Sequence, residues 1–313
     1  MKDKKLLLAA ILLPCTLLFS GYALAAGLRP VQTTGAAPVA QAIEDETCVN
    51  IPIELTLCAT DADNDIALYQ LTEQPRLGAA KIDGTVLTYT PGAKAGTDKF
   101  SYTAVDANGN TAPAAQIIIK VTKNRTKLTY SDMAGNPAHY AAIKLSEEGV
   151  MTGEKFGDCA FFHPTQEVTR SEFITMAAAM ANLPVEPTEQ TDFVDDSGLS
   201  SWAKPYVSAA ASSGLISGYH LANGLAEIRG ENPITLAEAS VVINNLLTET
   251  LDGVEAAYAT EHSEDLNWAQ AAVSSLDRLE VLSPLAQMQQ PGQAITRQTA
   301  CELLYRAMCL MRD

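Results

Sequence analysis

A short phrase recurs three times in the second half of this chain and constrains the fold more than any other feature. It reads Val168-Thr169-Arg170-Ser171-Glu172, then Ile234-Thr235-Leu236-Ala237-Glu238, then Ile295-Thr296-Arg297-Gln298-Thr299. The threonines at 169, 235 and 296 lie 66 and 61 residues apart, and each opens an apolar run with helical spacing. A period of this size signals stacked copies of one supersecondary unit, none of which buries its apolar face alone. Phe173, Ile174, Met176, Ala177 and Met180 form such a face after Arg170. Ending the chain after Leu247 is therefore expected to destabilise the two copies that remain.

Each copy also has an earlier half. Trp202-Ala203 begins a run through Val207 and Ala210 that ends at Gly214-Leu215-Ile216-Ser217-Gly218, and Trp268-Ala269 begins a matching run through Val273, Leu276 and Leu279. Tyr130-x-Asp132, Phe193-x-Asp195 and Phe162-x-Pro164 recur in the same order. From about Tyr130 to Asp313 these residues resemble the S-layer homology family. The resemblance implies an all-α, pseudo-threefold module with repeats at 128–185, 190–250 and 256–313. The implied ligand is a secondary cell-wall polysaccharide, often with pyruvylated sugar ends, held in grooves between repeats. Asp132, Tyr140, Gly153, Arg170, Asp195, Trp202, Gly218, Trp268 and Arg297 are the contact residues it implies.

The residue types suit that ligand. Arginine presents a planar fork of donors to a carboxylate, tryptophan offers a flat apolar face and an indole donor, and glycine lets backbone approach closely. Ordinary structural roles compete: tryptophans heading amphipathic helices pack into cores, arginines form surface ion pairs, and glycines stop helices. Thr169 and Glu172 read as a capping box. The copies are unequal. Leu236 stands where arginine is expected, Glu280 and Pro284 replace the glycine pair, and the first copy has no tryptophan. The first copy keeps Asp132, Gly153 and Arg170 together, so its groove is expected to be the strongest.

Ahead of the repeats the pattern changes to period two. Ile51, Ile53, Leu55 and Leu57 alternate with polar residues, as do Phe100, Tyr102 and Ala104, and turn signals separate such runs. This argues for a β-sandwich over 46–122, after a flexible lead-in at 26–45. Leu87-x-Tyr89-x-Pro91 followed by Gly96-Thr97-Asp98-x-Phe100-x-Tyr102 resembles bacterial immunoglobulin-like and cadherin-like domains, which implies a spacer or adhesive module. Asp61, Asp63 and Asp65 with Asp106 have the spacing of a calcium site, but no glycine or glutamate follows at the EF-hand positions. A polar turn bonded to its own backbone is the expected reading, with no metal.

Lys2, Lys4 and Lys5 before the apolar stretch Leu6 to Phe19, then Ala23-Leu24-Ala25, read as a secretory leader over 1–25. No later stretch approaches the ~20 apolar residues of a membrane span. Acidic side chains outnumber basic ones 37 to 21, which disfavours nucleic acid as a partner. It also means that placed arginines, not bulk charge, must hold any anionic polymer. Cys48, Cys58, Cys159, Cys301 and Cys309 are too few and too scattered for a disulfide framework and read as buried thiols, Cys48 with Cys58 being the one pair to check. The four histidines lack metal spacing and read as surface or turn residues. No nucleophile elbow, phosphate loop or dinucleotide fingerprint is present, so no enzyme and no cofactor are expected. The reading is a surface protein anchored non-covalently to wall polysaccharide; the alternative is a secreted adhesin whose repeats have degenerated.

Overall fold

Alternating apolar side chains fold the first half of the chain into two packed sheets. The computed structural model describes residues 35–248, 251, 253–255, 267–282, 284–287 and 289–312. The expected leader at 1–25 and the start of the third repeat at 256–266 lie outside the described residues. The strands are β1 (Val39–Ala40), β2 (Ile43–Cys48), β3 (Ile53–Thr56), β4 (Ala59–Thr60), β5 (Ile66–Glu73), β6 (Gly78–Asp83), β7 (Val86–Pro91), β8 (Gly96–Asp106) and β9 (Ala115–Thr122). One sheet has the order β2-β9-β8-β5, the other β3-β7-β6, and β1 pairs with β4. β1 and the first three residues of β2 fall within 26–45, the stretch expected to be a flexible lead-in. Ladder bonds to β4 and β9 order that stretch despite its weak local pattern.

Alternation along β9 sends Ala115, Ile117, Ile119 and Val121 inward, onto Leu87 and Tyr89 of β7 and Phe100 and Tyr102 of β8. Tyr89 and Phe100 stack at 5.7 Å. Asp98 is buried beneath them, yet its carboxylate accepts the backbone N–H groups of Arg76 and Leu77 at 2.8 Å and the Tyr89 hydroxyl at 2.9 Å. A buried carboxylate with three donors avoids the cost of an unpaired charge. This accounts for the Tyr89…Asp98-x-Phe100 pattern.

The second half contains α1 (His139–Glu147), β10 (Glu154–Phe156), β11 (Cys159–Phe161), α2 (Arg170–Met180), α3 (Lys204–Ser212), β12 (Tyr219–His220), β13 (Ala226–Glu227), α4 (Leu236–Thr248), α5 (Asn267–Arg278), α6 (Pro284–Gln287) and α7 (Arg297–Leu310). The repeats are thus not purely helical: β10–β11 and β12–β13 are antiparallel hairpins in the first two. Their strands are two or three residues long, too short for an alternation signal in the sequence. Each phrase starts a helix as its chemistry dictates. Thr169 and Glu172 form a reciprocal capping box on α2, Thr235 and Glu238 make the same two bonds on α4, and Thr296 caps α7 alone.

The three phrases meet. The N–H of Val168 donates to the carbonyl of Ile295, that of Ile295 to Ile234, and that of Ile234 to Val168, at 3.2, 2.9 and 2.9 Å, closing a ring. Helices then pair across copies: α3 packs on α2, α5 on α4, and α1 on α7. Phe173, Ile174 and Ala177 of α2, Ile243 and Leu247 of α4, and Leu304 and Met308 of α7 share one buried cluster.

That cluster also takes in Cys48 and Ile51 from the β-domain, both fully buried. Beside them the Tyr140 hydroxyl donates to Glu46 at 3.0 Å, and Glu46 pairs with Lys120. The two halves are packed together, not merely linked through 123–127. Cys58 and Cys159 are exposed, against the expectation of buried thiols, and all five described cysteines are free. His139 is likewise buried, where a surface histidine was expected.

Candidate ligand groove

Arg170 leaves the first turn of α2 and reaches the second repeat. It lines a pocket with Gly218, Tyr219, Glu238, Asn245 and Trp268, so three of the expected contact residues meet there, one from each repeat. Arg170 Nη1 lies 3.6 Å from Glu238 Oε1, and the guanidinium sits 5.0 Å over the Tyr219 ring. Arg229 approaches the same ring at 4.4 Å. The Arg170 side chain is only 8% exposed, and its Nε is buried without a hydrogen-bond partner. Burial pulls the Arg170 guanidinium below its usual value, with Glu238 opposing and Arg229 adding to the shift. A desolvated fork with one spare donor is suited to a planar anion.

The glycines shape the groove. Gly218 has φ +71°, and a Cβ there would fall 2.5 Å from the Phe193 ring. A Cβ on Gly153 would fall 2.2 Å from the Phe161 carbonyl and 2.5 Å from the Tyr130 ring. The aspartates are occupied by backbone: Asp132 accepts from the N–H groups of Phe162 and His163 at 2.8 and 2.7 Å, and Asp195 from those of Ile228 and Arg229 at 2.9 and 2.7 Å. They hold the turn that precedes each phrase, with His163 and Arg229 both forced to positive φ.

Arg170 does not gather with Asp132 and Gly153 as expected. The arginine seated near Gly153 is Arg297 of the third repeat, whose Nε donates to the Phe162 carbonyl at 2.7 Å and Nη2 to the Thr152 carbonyl at 2.8 Å. Tyr140 is buried against the β-domain and edge-on to Tyr305, away from the pocket. Trp268 packs on Ala237 and Val241, while Trp202 is half exposed. Leu236 is buried in the core. Tyr219, Arg229, Glu238 and Asn245 were not singled out from the sequence; only Glu238, through its place in the repeated phrase, carried a signal.

Carboxylate oxygens of Asp61, Asp65 and Asp106 lie within 4.8 Å of one another. Asp63 turns away to accept the Ala36 N–H at 2.8 Å, and Asp106 accepts those of Asn108 and Asn110 at 2.9 and 2.7 Å. Burial and the charges of Asp106, Asp61 and Asp63 push the Asp65 carboxyl up. The backbone bonds are those of the expected polar turn.

Comparison with known proteins assigns a domain class to one stretch in each half. Residues 35–120 match the bacterial Ig domain and residues 192–240 the S-layer homology domain. An S-layer protein of Bacillus thuringiensis subsp. finitimus is 28% identical over 161 residues, 51% of this chain and 19% of that protein. The surface-layer 125 kDa protein of Lysinibacillus sphaericus is 28% identical over 162 residues, 48% of this chain and 13% of the relative. The chain therefore spans less than a fifth of the length of these curated relatives. Among solved structures, an SrpA adhesin mutant from Streptococcus sanguinis aligns at 13% identity and TM-score 0.26, over 32% of this chain and 65% of that one, which carries no weight for function. The chain thus carries an Ig-like β-domain and an S-layer homology domain, and its curated relatives are S-layer and surface-layer proteins. No described helix is long and apolar enough to cross a membrane.

Proposed function

We propose that residues 128–185, 190–250 and 256–313 are three S-layer homology repeats arranged with pseudo-threefold symmetry. They anchor an exported protein non-covalently to secondary cell-wall polysaccharide, and the β-domain, over 46–122 with β1 and β2 at its start, serves as spacer or displayed module. The ring of bonds among Val168, Ile234 and Ile295 and the cyclic pairing of helices support the symmetry. The observation that carries the ligand reading is the pocket where Arg170, Gly218 and Trp268 converge, with a buried guanidinium nitrogen left unsatisfied. A pyruvyl carboxylate on a sugar end would offer the guanidinium an acceptor and meet the Trp268 ring once the pocket, about 20 Å³ as it stands, widens to admit it. Leu236 brings no charge of its own, and Arg297 is already held by protein carbonyls, so the Arg170 groove is the main one. The role is binding, with no chemical step.

The test is binding of the mature protein to purified wall sacculi, before and after chemical removal of the polymer. Wild type is expected to bind only polymer-bearing sacculi. Arg170→Lys keeps a charge beside Glu238 but loses the fork, and should weaken binding about tenfold or more with folding intact. Binding that ignores polymer removal would refute the ligand. Absence of wall binding with retained adhesion to other glycans would favour a secreted adhesin with degenerate repeats.

A further inference from the structure

We infer that the cavity where α1, α2 and α7 end is a peroxide-sensitive methionine site, whose oxidation loosens the helical half. The cavity holds about 180 Å³ and is lined by Met180, Met308 and Met311, with the charged pair Glu148 and Arg312 beside them. Arg312 Nη2 and Glu148 Oε2 are 2.9 Å apart with both side chains partly exposed, so their ion pair lies at the mouth. It ties the end of α7 to the end of α1. Met180 and Met308 are only 6 and 5% exposed and belong to the cluster that holds Phe173 and Leu304, and Met311 packs against that cluster from a half-buried position. Met176 is just as buried, at 7%, but does not line the cavity. The cavity, not surface exposure, therefore separates these methionines.

A water takes about 30 Å³ of liquid volume, so a space of this size admits hydrogen peroxide, which has two oxygens. A thioether needs no ionisation to react with it. The sulfur lone pair attacks one peroxide oxygen and the O–O bond breaks. The transferred oxygen gives its proton to the departing hydroxide, leaving a sulfoxide and water. Sulfur loses two electrons and peroxide gains them. The product is polar, and at Met180 and Met308 it is set against apolar side chains, where an S–O group without a donor is costly. The site lies at the far end of α2 from Arg170, about 15 Å along the helix, and does not depend on the anchoring reading.

The test treats the folded mature protein with hydrogen peroxide and follows each methionine by peptide mass mapping, beside a sample in concentrated urea. Met311 should gain oxygen first, then Met180 and Met308. Each should react about tenfold or more faster than Met133, Met151 and Met176, which wait for the core to open. In urea all six should react alike. The treated protein should melt several degrees lower. Replacing all three cavity methionines by leucine keeps their volume, and that variant should keep its melting temperature through the same treatment. Met176 reacting as fast as Met180 and Met308 in the folded protein would overturn the cavity as the site. An unchanged melting temperature with Met180 and Met308 oxidised, or an equal loss in the leucine variant, would overturn the loosening.

Discussion

Arg297 donates from Nε to the carbonyl of Phe162 at 2.7 Å, joining residues 135 apart in sequence. With Arg170 placed over Tyr219, this means that each phrase arginine serves the neighbouring repeat, not its own. Under the anchoring proposal, a groove would therefore be built by neighbouring repeats together, not by one repeat alone.

Replacing Arg297 with alanine should destabilise the helical half by about 2 kcal/mol, because two charge-assisted bonds to carbonyls are lost. Arg297→Lys keeps the charge but cannot span both carbonyls and should fall between. Urea unfolding checks this; equal stability of all three proteins would show that the bonds contribute nothing net.

Arg170 and Glu238 should be coupled. Both side chains are nearly buried, so Arg170→Ala strands a carboxylate and should cost about 3 kcal/mol. Adding Glu238→Gln should recover a good part of that loss. A double-mutant cycle with an interaction energy near zero would separate the two residues.

How much of this was legible in the sequence follows from which interactions are local. The phrase at Thr169, Thr235 and Thr296 announced its helices because a capping threonine and the apolar run after it lie within a few residues of each other. The Tyr89 to Phe100 pattern announced strands for the same reason, since period two is local. Sequence order groups Arg170 with Asp132 and Gly153 of its own repeat, while the fold sends it across to a pocket with Tyr219 and Trp268, because that contact is not local in the chain. Tyr140 likewise finds a partner far away in the chain. Counting twelve residues back from Gly149, as Trp202 stands from Gly214, gives Pro137, and Tyr140 faces Glu46 of the β-domain instead. Nothing near Tyr140 in sequence hinted at that partner.

The packed boundary between halves predicts one cooperative transition. Cys48 and Ile51 sit in the helical core, so unfolding either half exposes part of the other's interior. Calorimetry of the mature protein should give a single peak, and Ile51→Ala should move that one peak to lower temperature, reflecting the ~2–5 kcal/mol of stability typically lost in such a core truncation. Two separated peaks, with Ile51→Ala moving only the β-domain's, would contradict the shared core.

His139 predicts an acid weakness. It is buried with its Nε2 accepting the Tyr130 N–H at 3.3 Å, and burial lowers its pKa, with the Met133 backbone and Asp132 opposing. A histidine with a depressed folded pKa is neutral in the native state and takes up a proton on unfolding. Its contribution is therefore present above the ordinary histidine value of about 6.5 and is lost as pH falls below it. Stability should drop between about pH 7 and 5, and His139→Gln should flatten that slope. An unchanged slope in the variant would place the acid sensitivity elsewhere.

Glu280 offers a stabilising change. After α1 and α3 the chain reverses at Gly149 and Gly214, with φ +71° and +76°; after α5 the same turn is made by Glu280 at φ +58°. A left-handed conformation costs a side-chain-bearing residue about 1–2 kcal/mol, and glycine avoids it at the expense of a more flexible unfolded chain. The Glu280 side chain is exposed, and the bond that Arg306 Nη1 makes to the Glu280 carbonyl at 2.9 Å needs only backbone. Glu280→Gly should therefore stabilise the protein by about 0.5–1 kcal/mol, raising its melting temperature by a few degrees. Glu280→Ala keeps the strain and should gain nothing, so equal gains from both substitutions would show that the side chain, not the backbone angle, was unfavourable.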